Sequence, residues 1–518
     1  MIVVTAEQMR ELDRLTIQQY GVASLTLMER AGDAITQAIV ERFTRNAKKG
    51  VLIVAGKGNN GGDGFVVARM LKKKRIPCEV ALLARQDELS ADATHNLRAF
   101  LKLKGKVTEI AGDNLDLLSQ RLSKNGLIVD AILGTGMKND VRGRFAEAIT
   151  LLNASGLPIV AVDIPSGLDA DKGTPLGVAI QAELTVALGL AKLGEVIYPG
   201  VNFVGALAVA DIGIDARALT AVAPRTELLD RENMRWLVPR READTHKGTY
   251  GHLVVVAGSR GKTGAAILAC RSAMRAGAGL VTLAAPRSLN SIFATSLVEA
   301  MTEPLRENSR EEMEALSDAE WRALLERKNG LLFGPGIGVN DATQNALRWL
   351  LRNFSMPWVI DADGLNNLAL DLGRLRHAKT APILTPHPGE MARLIGKDTA
   401  TVNSDRIGIA RSFAALHRCH LVLKGARSVI ATADGKVFIN PTGNPGMASG
   451  GMGDVLAGIL TALLGQGLCA EDAMKLGVYL HGFAGDRAAA AKGEIGLIAS
   501  DIIDDLPAAL SALAPANS

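Results

Sequence analysis

The sequence predicts two α/β domains, each built on a doubly wound, mostly parallel sheet. Three observations predict it. Short apolar runs alternate with helix-period segments, and the series runs twice along the chain. The 54 glycines against only 4% aromatic residues suit many tight strand-to-helix turns. Between the two series, around residues 213–247, the pattern breaks into Asp, Arg, Pro and Thr, and Pro239–His246 is charged and turn-rich. A chain of 518 residues accommodates two or three domains. The boundary is expected near 218–226, giving domains over residues 1–220 and 226–514.

The first expected element is a helix. Thr5 and Gln8 have capping-box spacing, and Gly21 stands where a helix stop belongs. A second helix is expected over about Leu25 to Phe43. Val51–Ala55, Cys78–Leu83, Leu127–Leu133 and Pro158–Asp163 then read as buried parallel strands, and Leu184–Leu188 and Ala206–Ala210 continue them. The second series comprises His252–Ala257, Gly279–Leu283, Gly330–Phe333, Trp358–Asp361, Pro382–Thr385, His420–Lys424 and Ser428–Thr432. A closing helix is expected from Ser500 to Leu510.

Bulk properties exclude several classes. A net charge of +4 is too small for this length to argue for nucleic acid or a membrane surface. No apolar run approaches the length of a membrane span, and the N-terminus lacks a signal-peptide pattern. Cys78, Cys270, Cys419 and Cys469 lie far apart with no metal-ligand spacing, and His417–His420 reads as a helix end entering a strand. A reducing, cytoplasmic setting is expected.

The glycine-rich loops carry the chemistry. Gly56-Lys-Gly-Asn-Asn-Gly-Gly-Asp-Gly64 follows a strand and opens a helix, and Gly56, Gly58 and Gly61 satisfy G-x-G-x-x-G. Asn59, Asn60 and Asp63 add amide and carboxylate oxygens that a plain pyrophosphate turn does not need. Two more loops sit at predicted carboxyl ends of strands, Asp130–Asp140 and Asp163-Ile-Pro-Ser-Gly-Leu-Asp169. Ligands of open α/β sheets bind at those ends, so the three loops can share one crevice. Asn60, Asp130 and Ser166 offer oxygen ligands for a hard cation. Asp163 is the acid/base candidate; the plainer alternative is that Asp130 and Asp163 only cap turns.

In the second series, Gly258-Ser-Arg-Gly-Lys-Thr263 imitates a phosphate loop but fails its spacing, because two residues rather than four separate Gly258 from Gly-Lys-Thr. Gly334-Pro-Gly-Ile-Gly338, Asp361–Asn366 and Thr385-Pro-His-Pro-Gly-Glu390 are further strand-end loops. His387 between two prolines suits a contact residue, and Lys424 at a strand end suits phosphate. Asn444-Pro-Gly-Met-Ala-Ser-Gly-Gly-Met-Gly-Asp454 leads directly into an apolar helix. Such a loop can aim several N–H groups and a helix N-terminus at one phosphate. Asp454 repels phosphate and so belongs there as a base taking a proton from an attacking hydroxyl. The plainer alternative is an N-capping Asp.

Together these motifs resemble a known family. Gly-Lys-Gly-Asn-Asn-Gly-Gly-Asp-Gly with Asp-Ile-Pro-Ser-Gly downstream is similar to the NAD(P)H-hydrate epimerase domain. Thr-Pro-His-Pro-Gly-Glu, Leu-Lys-Gly-Ala and Asn-Pro-Gly-Met-Ala-Ser-Gly-Gly-Met-Gly-Asp resemble the ADP- or ATP-dependent NAD(P)H-hydrate dehydratase, of ribokinase-like fold. The resemblance implies a Rossmann-like epimerase domain followed by a ribokinase-like dehydratase domain. It implies repair of NADHX and NADPHX, the hydrated cofactors: R and S epimers would be interconverted, and the S form dehydrated at the expense of ADP, giving AMP and phosphate. Asn59, Asn60, Gly61, Gly62 and Asp63, the loop Gly134, Thr135, Gly136, Met137, Lys138, Asn139 and Asp140, and Asp163 would contact the hydrate in the first domain. Asn60, Asp130 and Ser166 would hold K+. In the second, Ala265, Gly336, His387 and Asp454 would contact the hydrate, and Lys424, Gly425, Ala426, Arg427, Ser428 and Gly453 the adenine nucleotide with its Mg2+. Asp163 and Asp454 would be catalytic, and the enzyme a homo-oligomer.

Two alternatives stand beside this. A small-molecule kinase with an unrelated N-terminal domain keeps Asp454 as base but releases a phosphorylated product. A non-catalytic N-terminal nucleotide- or partner-binding module does not need Asn60, Asp130, Asp163 and Ser166.

Overall fold

The computed structural model describes residues 1–110 and 115–515 and divides into two compact units, one of residues 2–226, the other of Met1 with residues 227 onward. In the first unit seven parallel strands form one sheet. Across it lie Val107–Glu109, Cys78–Leu82, Val51–Ala55, Leu127–Ala131, Ile159–Val162, Leu184–Leu188 and Ala206–Ala210. In chain order this is 3-2-1-4-5-6-7, the doubly wound arrangement, with its switch point between Val51–Ala55 and Leu127–Ala131. Those two strands are buried along their whole length, as all-apolar parallel strands between helices must be.

The first helix, Ala6–Arg14, has the expected capping box from Thr5 and Gln8. The first element, however, is the two-residue strand Val3–Val4, paired in parallel with Ala191–Lys192. So short a strand leaves no periodicity to read. Val107–Glu109 was likewise not expected, because this edge strand is only partly buried and has no apolar run.

In the second unit the sheet includes, in this order, Val437–Ile439, Val429–Ala431, His420–Leu423, Ile383–Leu384, Trp358–Ile360, Gly330–Phe333, His252–Val256, Leu280–Pro286 and Met301–Leu305. The strand order at its centre repeats that of the first sheet, and its switch point lies between His252–Val256 and Gly330–Phe333. Two antiparallel pairings close one side. Met301–Leu305 and Val437–Ile439 escaped the sequence pattern, the first because Thr302, Glu303 and Pro304 interrupt it and the second because it has three residues. Helix Met452–Gly465 is apolar all round and buried from Val455 to Leu464, which marks a central helix. It packs closely on helix Thr263–Arg275: a Cβ at Gly458 would stand 2.3 Å from the Ala269 carbonyl oxygen.

The loops at the switch points are shaped by glycine. A Cβ on Gly56 would lie 2.0 Å from the Ile132 carbonyl oxygen, and one on Gly61 would lie 2.0 Å from that of Gly56. Both obstacles are backbone, so neither can swing aside. Gly61→Ala should therefore destabilise the first unit by about 1–3 kcal/mol. Thermal unfolding followed by circular dichroism checks this, and an unchanged first transition would refute it.

Candidate active sites

The carboxyl edge of the first sheet gathers two polar groups. The first joins Asn60, Asp130 and Ser166. Helix Asn59–Lys73 starts after Gly58 with no side-chain cap, and its first turn buries Asn60. Asn60 Nδ2 donates to the Leu133 carbonyl (3.0 Å), while its Oδ1 is buried with no partner. Asp130, fully buried, accepts from Ser166 N–H (2.8 Å), Ser166 Oγ (2.5 Å) and Ile132 N–H (3.2 Å). Burial pushes its carboxyl up to about 6 despite those donors. Ser166 Oγ also accepts from Leu133 N–H (2.8 Å), which ties all three residues to one backbone segment. Asp130 thus bridges two loops as well as capping its own turn through Ile132 N–H.

The second group surrounds Asp163. This residue has a left-handed backbone (φ +67°), uncommon for anything but glycine. Its Oδ1 accepts from Leu188 N–H (3.0 Å) and from Lys192 Nζ. Lys192 is completely buried. Its backbone N–H donates to Glu195 (2.6 Å), and Glu195 Oε1 is buried without a partner. Burial raises the Glu195 carboxyl to about 8 and that of Asp13 to about 6. Asp63 is pushed well above the carboxylate range by burial and by the charges of Asp163 and Asp13. Three carboxyl groups, those of Asp163, Glu195 and Asp13, thus share one buried ammonium, and Asp63 adds a fourth acid beside two of them. Asp13, Lys192 and Glu195 were not singled out in the sequence; the signal was a Lys and a Glu inside the otherwise apolar run Ala191–Val196.

The remaining predicted contacts are dispersed. Gly61 and Gly62 are buried against Gly56 and Met28, whereas Asn59 is exposed and accepts from Ser90 Oγ (3.2 Å). Gly134 approaches Asn60, with its Cβ position 3.5 Å from that of Asn60. Thr135 is half-buried, and Met137 packs on the apolar cluster below the sheet. Gly136, Lys138, Asn139 and Asp140 are exposed. Arg85 and Asp87, just beyond strand Cys78–Leu82, pair with each other in solvent (2.7 Å).

In the second unit Asp454 lies in the first turn of helix Met452–Gly465, whose N-cap is Gly451 (φ +88°). Asp454 is therefore not the cap, and the plainer alternative fails. Burial, the charges of Asp361 and Glu390 and that of Asp363 push its carboxyl up to about 7, against the opposing pull of Lys424. Lys424 is not solvated: its Nζ donates to Asp361 Oδ1 (2.8 Å) and lies 3.8 Å from Glu390 Oε2. Thr385 Oγ1 donates to the same Asp361 oxygen (2.7 Å). A Cβ on Gly453 would stand 3.1 Å from Lys424 Nζ, so glycine there lets the helix start abut the ammonium.

His387 caps helix Pro388–Ile395, its Nδ1 accepting from Gly389 N–H (3.0 Å), and its side chain is half exposed beside Glu390. Gly336 and Ala265 meet: a Cβ on Gly336 would lie 3.5 Å from that of Ala265. Lys262 joins them through Asp363 (2.8 Å). The loop Gly425, Ala426, Arg427 and Ser428 is held by Arg406, which donates to the carbonyls of Ala426 (2.6 Å), Leu423 (3.1 Å) and Lys424 (3.3 Å). Asp486 fixes the start of the long glycine loop, accepting from Gly443 N–H and Asn444 Nδ2 (both 3.0 Å). His481 lies beneath, kept neutral by burial and by Lys424, with its pKa near 4. Arg406, His481 and Asp486 come from helices whose pattern gave no hint of the site.

Two carboxyl-edge sites, one with a buried lysine–carboxylate cluster and one with a proton-holding aspartate at a glycine-rich helix start, define a two-domain α/β enzyme. Residues 253–508 match the family model described as NAD(P)H-hydrate dehydratase, and residues 24–194 that described as YjeF-related protein N-terminus. The chain is 45% identical to the bifunctional NAD(P)H-hydrate repair enzyme of Moorella thermoacetica, over 98% of this chain and 96% of the relative. It is 37% identical to the enzyme of that name in Escherichia coli, over 97% and 92%. It belongs to the bifunctional NAD(P)H-hydrate repair enzyme family. Among solved structures, an ADP/ATP-dependent NAD(P)H-hydrate dehydratase from Bacillus subtilis is 30% identical, covering 55% of this chain and 98% of its own, with a TM-score of 0.48.

The raised carboxyl of Asp454 has a consequence for stability. In the unfolded chain it ionises near its usual 3.8, but when folded it keeps its proton to about 7. The unfolded state releases the proton first, so this group's contribution falls as pH rises from about 4 to about 7. Asp454→Asn should match the parent near the lower limit and exceed it above the upper one, by on the order of 2 kcal/mol after solvent screening. Urea unfolding across that range tests this; a constant difference would contradict it.

Proposed function

We propose that this chain repairs hydrated NADH and NADPH. The first unit interconverts the R and S epimers, and the second dehydrates the S epimer with ADP, giving AMP and phosphate. The observation that carries the reading is Asp454, a carboxyl poised near neutrality at a glycine-rich helix start. Hydroxide is a poor leaving group. Transfer of a phosphoryl group to the substrate hydroxyl replaces it with phosphate, which departs as the ring double bond re-forms. Asp454 takes the hydroxyl proton during transfer. The N–H groups at Met452 and Gly453 and the ammonium of Lys424 stabilise the transferring phosphoryl group.

Gly336, Ala265 and His387 contact the hydrate in this reading, and the Lys424–Ser428 loop with Gly453 takes the nucleotide. Magnesium enters with the nucleotide phosphates. Among the described residues no group of three or more His, Cys, Asp or Glu is arranged to hold a metal, and magnesium commonly rides on substrate phosphates.

In the first unit Asp163 is the acid/base, with Lys192 setting its position and Glu195 and Asp63, both raised by burial, nearby. Asn59–Asp63 and Gly134–Asp140 contact the hydrate. The unpartnered Asn60 Oδ1, with Asp130 and Ser166, fits a potassium ion, whose fixed charge would favour a phosphate-bearing substrate. No helix among the described residues is long and apolar enough to cross a membrane. A cytoplasmic homo-oligomer completes the reading.

Hydrated NADH incubated with the protein and ADP should regain reduced-nicotinamide absorbance, and ATP run alongside identifies the donor. A stable phosphorylated product with no recovery would establish the kinase alternative instead. Asp454→Asn should abolish dehydration. Asp163→Asn should leave the S epimer repaired and the R epimer slow, after subtracting spontaneous epimerisation; equal repair of both at the parent rate rejects the epimerase site. Asp130→Asn should weaken the potassium requirement of epimerisation about 10–100-fold in apparent affinity. A parent rate indifferent to potassium excludes the ion.

A further inference from the structure

The second unit carries another concentration of charge, away from Asp454. Helix Asp341–Asn353 leaves the Gly334–Gly338 turn at the carboxyl edge of the sheet and runs back to the start of strand Trp358–Ile360. Segment Leu372–His377 lies between helix Asp363–Ala369 and strand Ile383–Leu384. Both therefore end at the amino edge, opposite the edge holding Asp361, Lys424 and Asp454. Backbone bonds join them: Lys379 N–H donates to the Leu351 carbonyl (3.0 Å).

Between the two segments is a cavity of about 160 Å3 lined by Arg348, Arg352, Asp371, Arg374, Arg376 and His377 among others. Four guanidinium groups meet one carboxylate. Asp371 is taken by Arg374 Nε (2.9 Å). Among the described residues Arg348 finds only the neutral Asn345 Oδ1 (2.9 Å), and Arg376 Nε donates to His377 Nε2 (3.2 Å). The Arg374 side chain is 11% exposed, and its Nη1 is buried with no hydrogen-bond partner. Guanidinium groups do not shed their protons, so four cations less one anion leave three positive charges uncompensated around this space. A buried, unpaired donor on a charged group is costly unless something accepts from it. The acceptor that planar guanidinium forks match best, with charge to neutralise several at once, is a phosphate or linked phosphates. At about 30 Å3 per water the cavity holds roughly five waters, a size for phosphate groups themselves.

We propose that this arginine-lined cavity at the amino edge of the sheet is a binding site for a small di- or polyphosphate anion, separate from the catalytic edge.

Inorganic pyrophosphate titrated calorimetrically into the full chain at low salt tests it, in the parent and in R348Q/R352Q. Both substituted side chains are exposed and stand outside the catalytic edge. Parent binding should weaken as salt rises. The double variant should lose a binding event or bind at least about tenfold more weakly, since two charge-assisted donors are removed. The glycine loop at the other edge can also take pyrophosphate, and that component should persist unchanged in the variant. Should the double variant melt early, R376Q replaces it. A parent that binds no pyrophosphate, or a well-folded variant that binds it with parent affinity and stoichiometry, overturns the proposal.

Discussion

In each unit a lysine faces an aspartate at the carboxyl edge of a parallel sheet, and much of the surrounding structure follows from that pair. Lys192 against Asp163 is completely enclosed; Lys424 against Asp361 is nearly so, at 2.8 Å. Burial alone would strip the proton from both lysines. The neighbouring carboxylates outweigh it, and both are held above the ordinary lysine range. Removing either partner would strand a buried charge, so the loops that carry them are fixed with respect to one another. Each ammonium also has more acid nearby than it can neutralise. Glu195, Asp63 and Asp13 in one unit and Asp454 in the other are left to hold protons. A group that titrates near neutrality is what proton transfer from a hydroxyl needs.

The backbone bends to make these pairs. Asp163 immediately follows strand Ile159–Val162 and Ala362 follows Asp361 at the end of strand Trp358–Ile360; both are non-glycine residues with left-handed φ, +67° and +50°. In each sheet this strand pairs with a switch-point strand, Leu127–Ala131 in one and Gly330–Phe333 in the other. Strain of this kind persists only where the surroundings impose it. Here the Asp163 carboxylate is anchored by Leu188 N–H as well as Lys192 (3.0 Å to the former), and Asp361 by Thr385 as well as Lys424 (2.7 Å to the former).

Most of this architecture was legible in the residues, because central parallel strands are apolar on both faces and glycine turns punctuate them. Val51–Ala55 and His252–Val256 could hardly be anything else. The strands that escaped are edge or very short ones, Val3–Val4, Val107–Glu109, Met301–Leu305 and Val437–Ile439, where solvent relaxes the demand for apolar residues. Glycine loops and loop carboxylates were likewise visible, since Asp454, Asp163, Asn60 and Asp130 are chemically out of place among glycines and apolar runs. What stayed hidden came from elsewhere in the chain. Arg406, His481 and Asp486 sit on helices, and their sequence neighbours do not reveal that Arg406 supports the Leu423–Ala426 carbonyls or that Asp486 ties down Gly443. Lys192 ends the two-residue strand Ala191–Lys192 and Glu195 follows it, and the pairing of that strand with Val3–Val4 is a long-range fact.

The two sheets share strand order around their switch points yet present different chemistry there. In both, the two switch-point strands diverge into opposite crossovers, and glycines line the gap because backbone meets backbone: a Cβ on Gly56 would stand 2.0 Å from the Ile132 carbonyl oxygen in one, and Gly258 N–H donates to the Pro335 carbonyl (2.8 Å) in the other. The crevice is thus a property of topology, and glycine is its steric requirement. The reaction is decided by what the next residues add. In the first unit the helix after the glycines begins Asn59-Asn60, and the Asn60 amide nitrogen donates to the Leu133 carbonyl while its oxygen is buried with no partner among the described residues. In the second the corresponding helix begins at Thr263 with small residues, and the charged groups arrive instead from Asp361, Lys424 and Asp454. Glycine loops alone therefore do not distinguish the two crevices; the side chains placed around each buried lysine do.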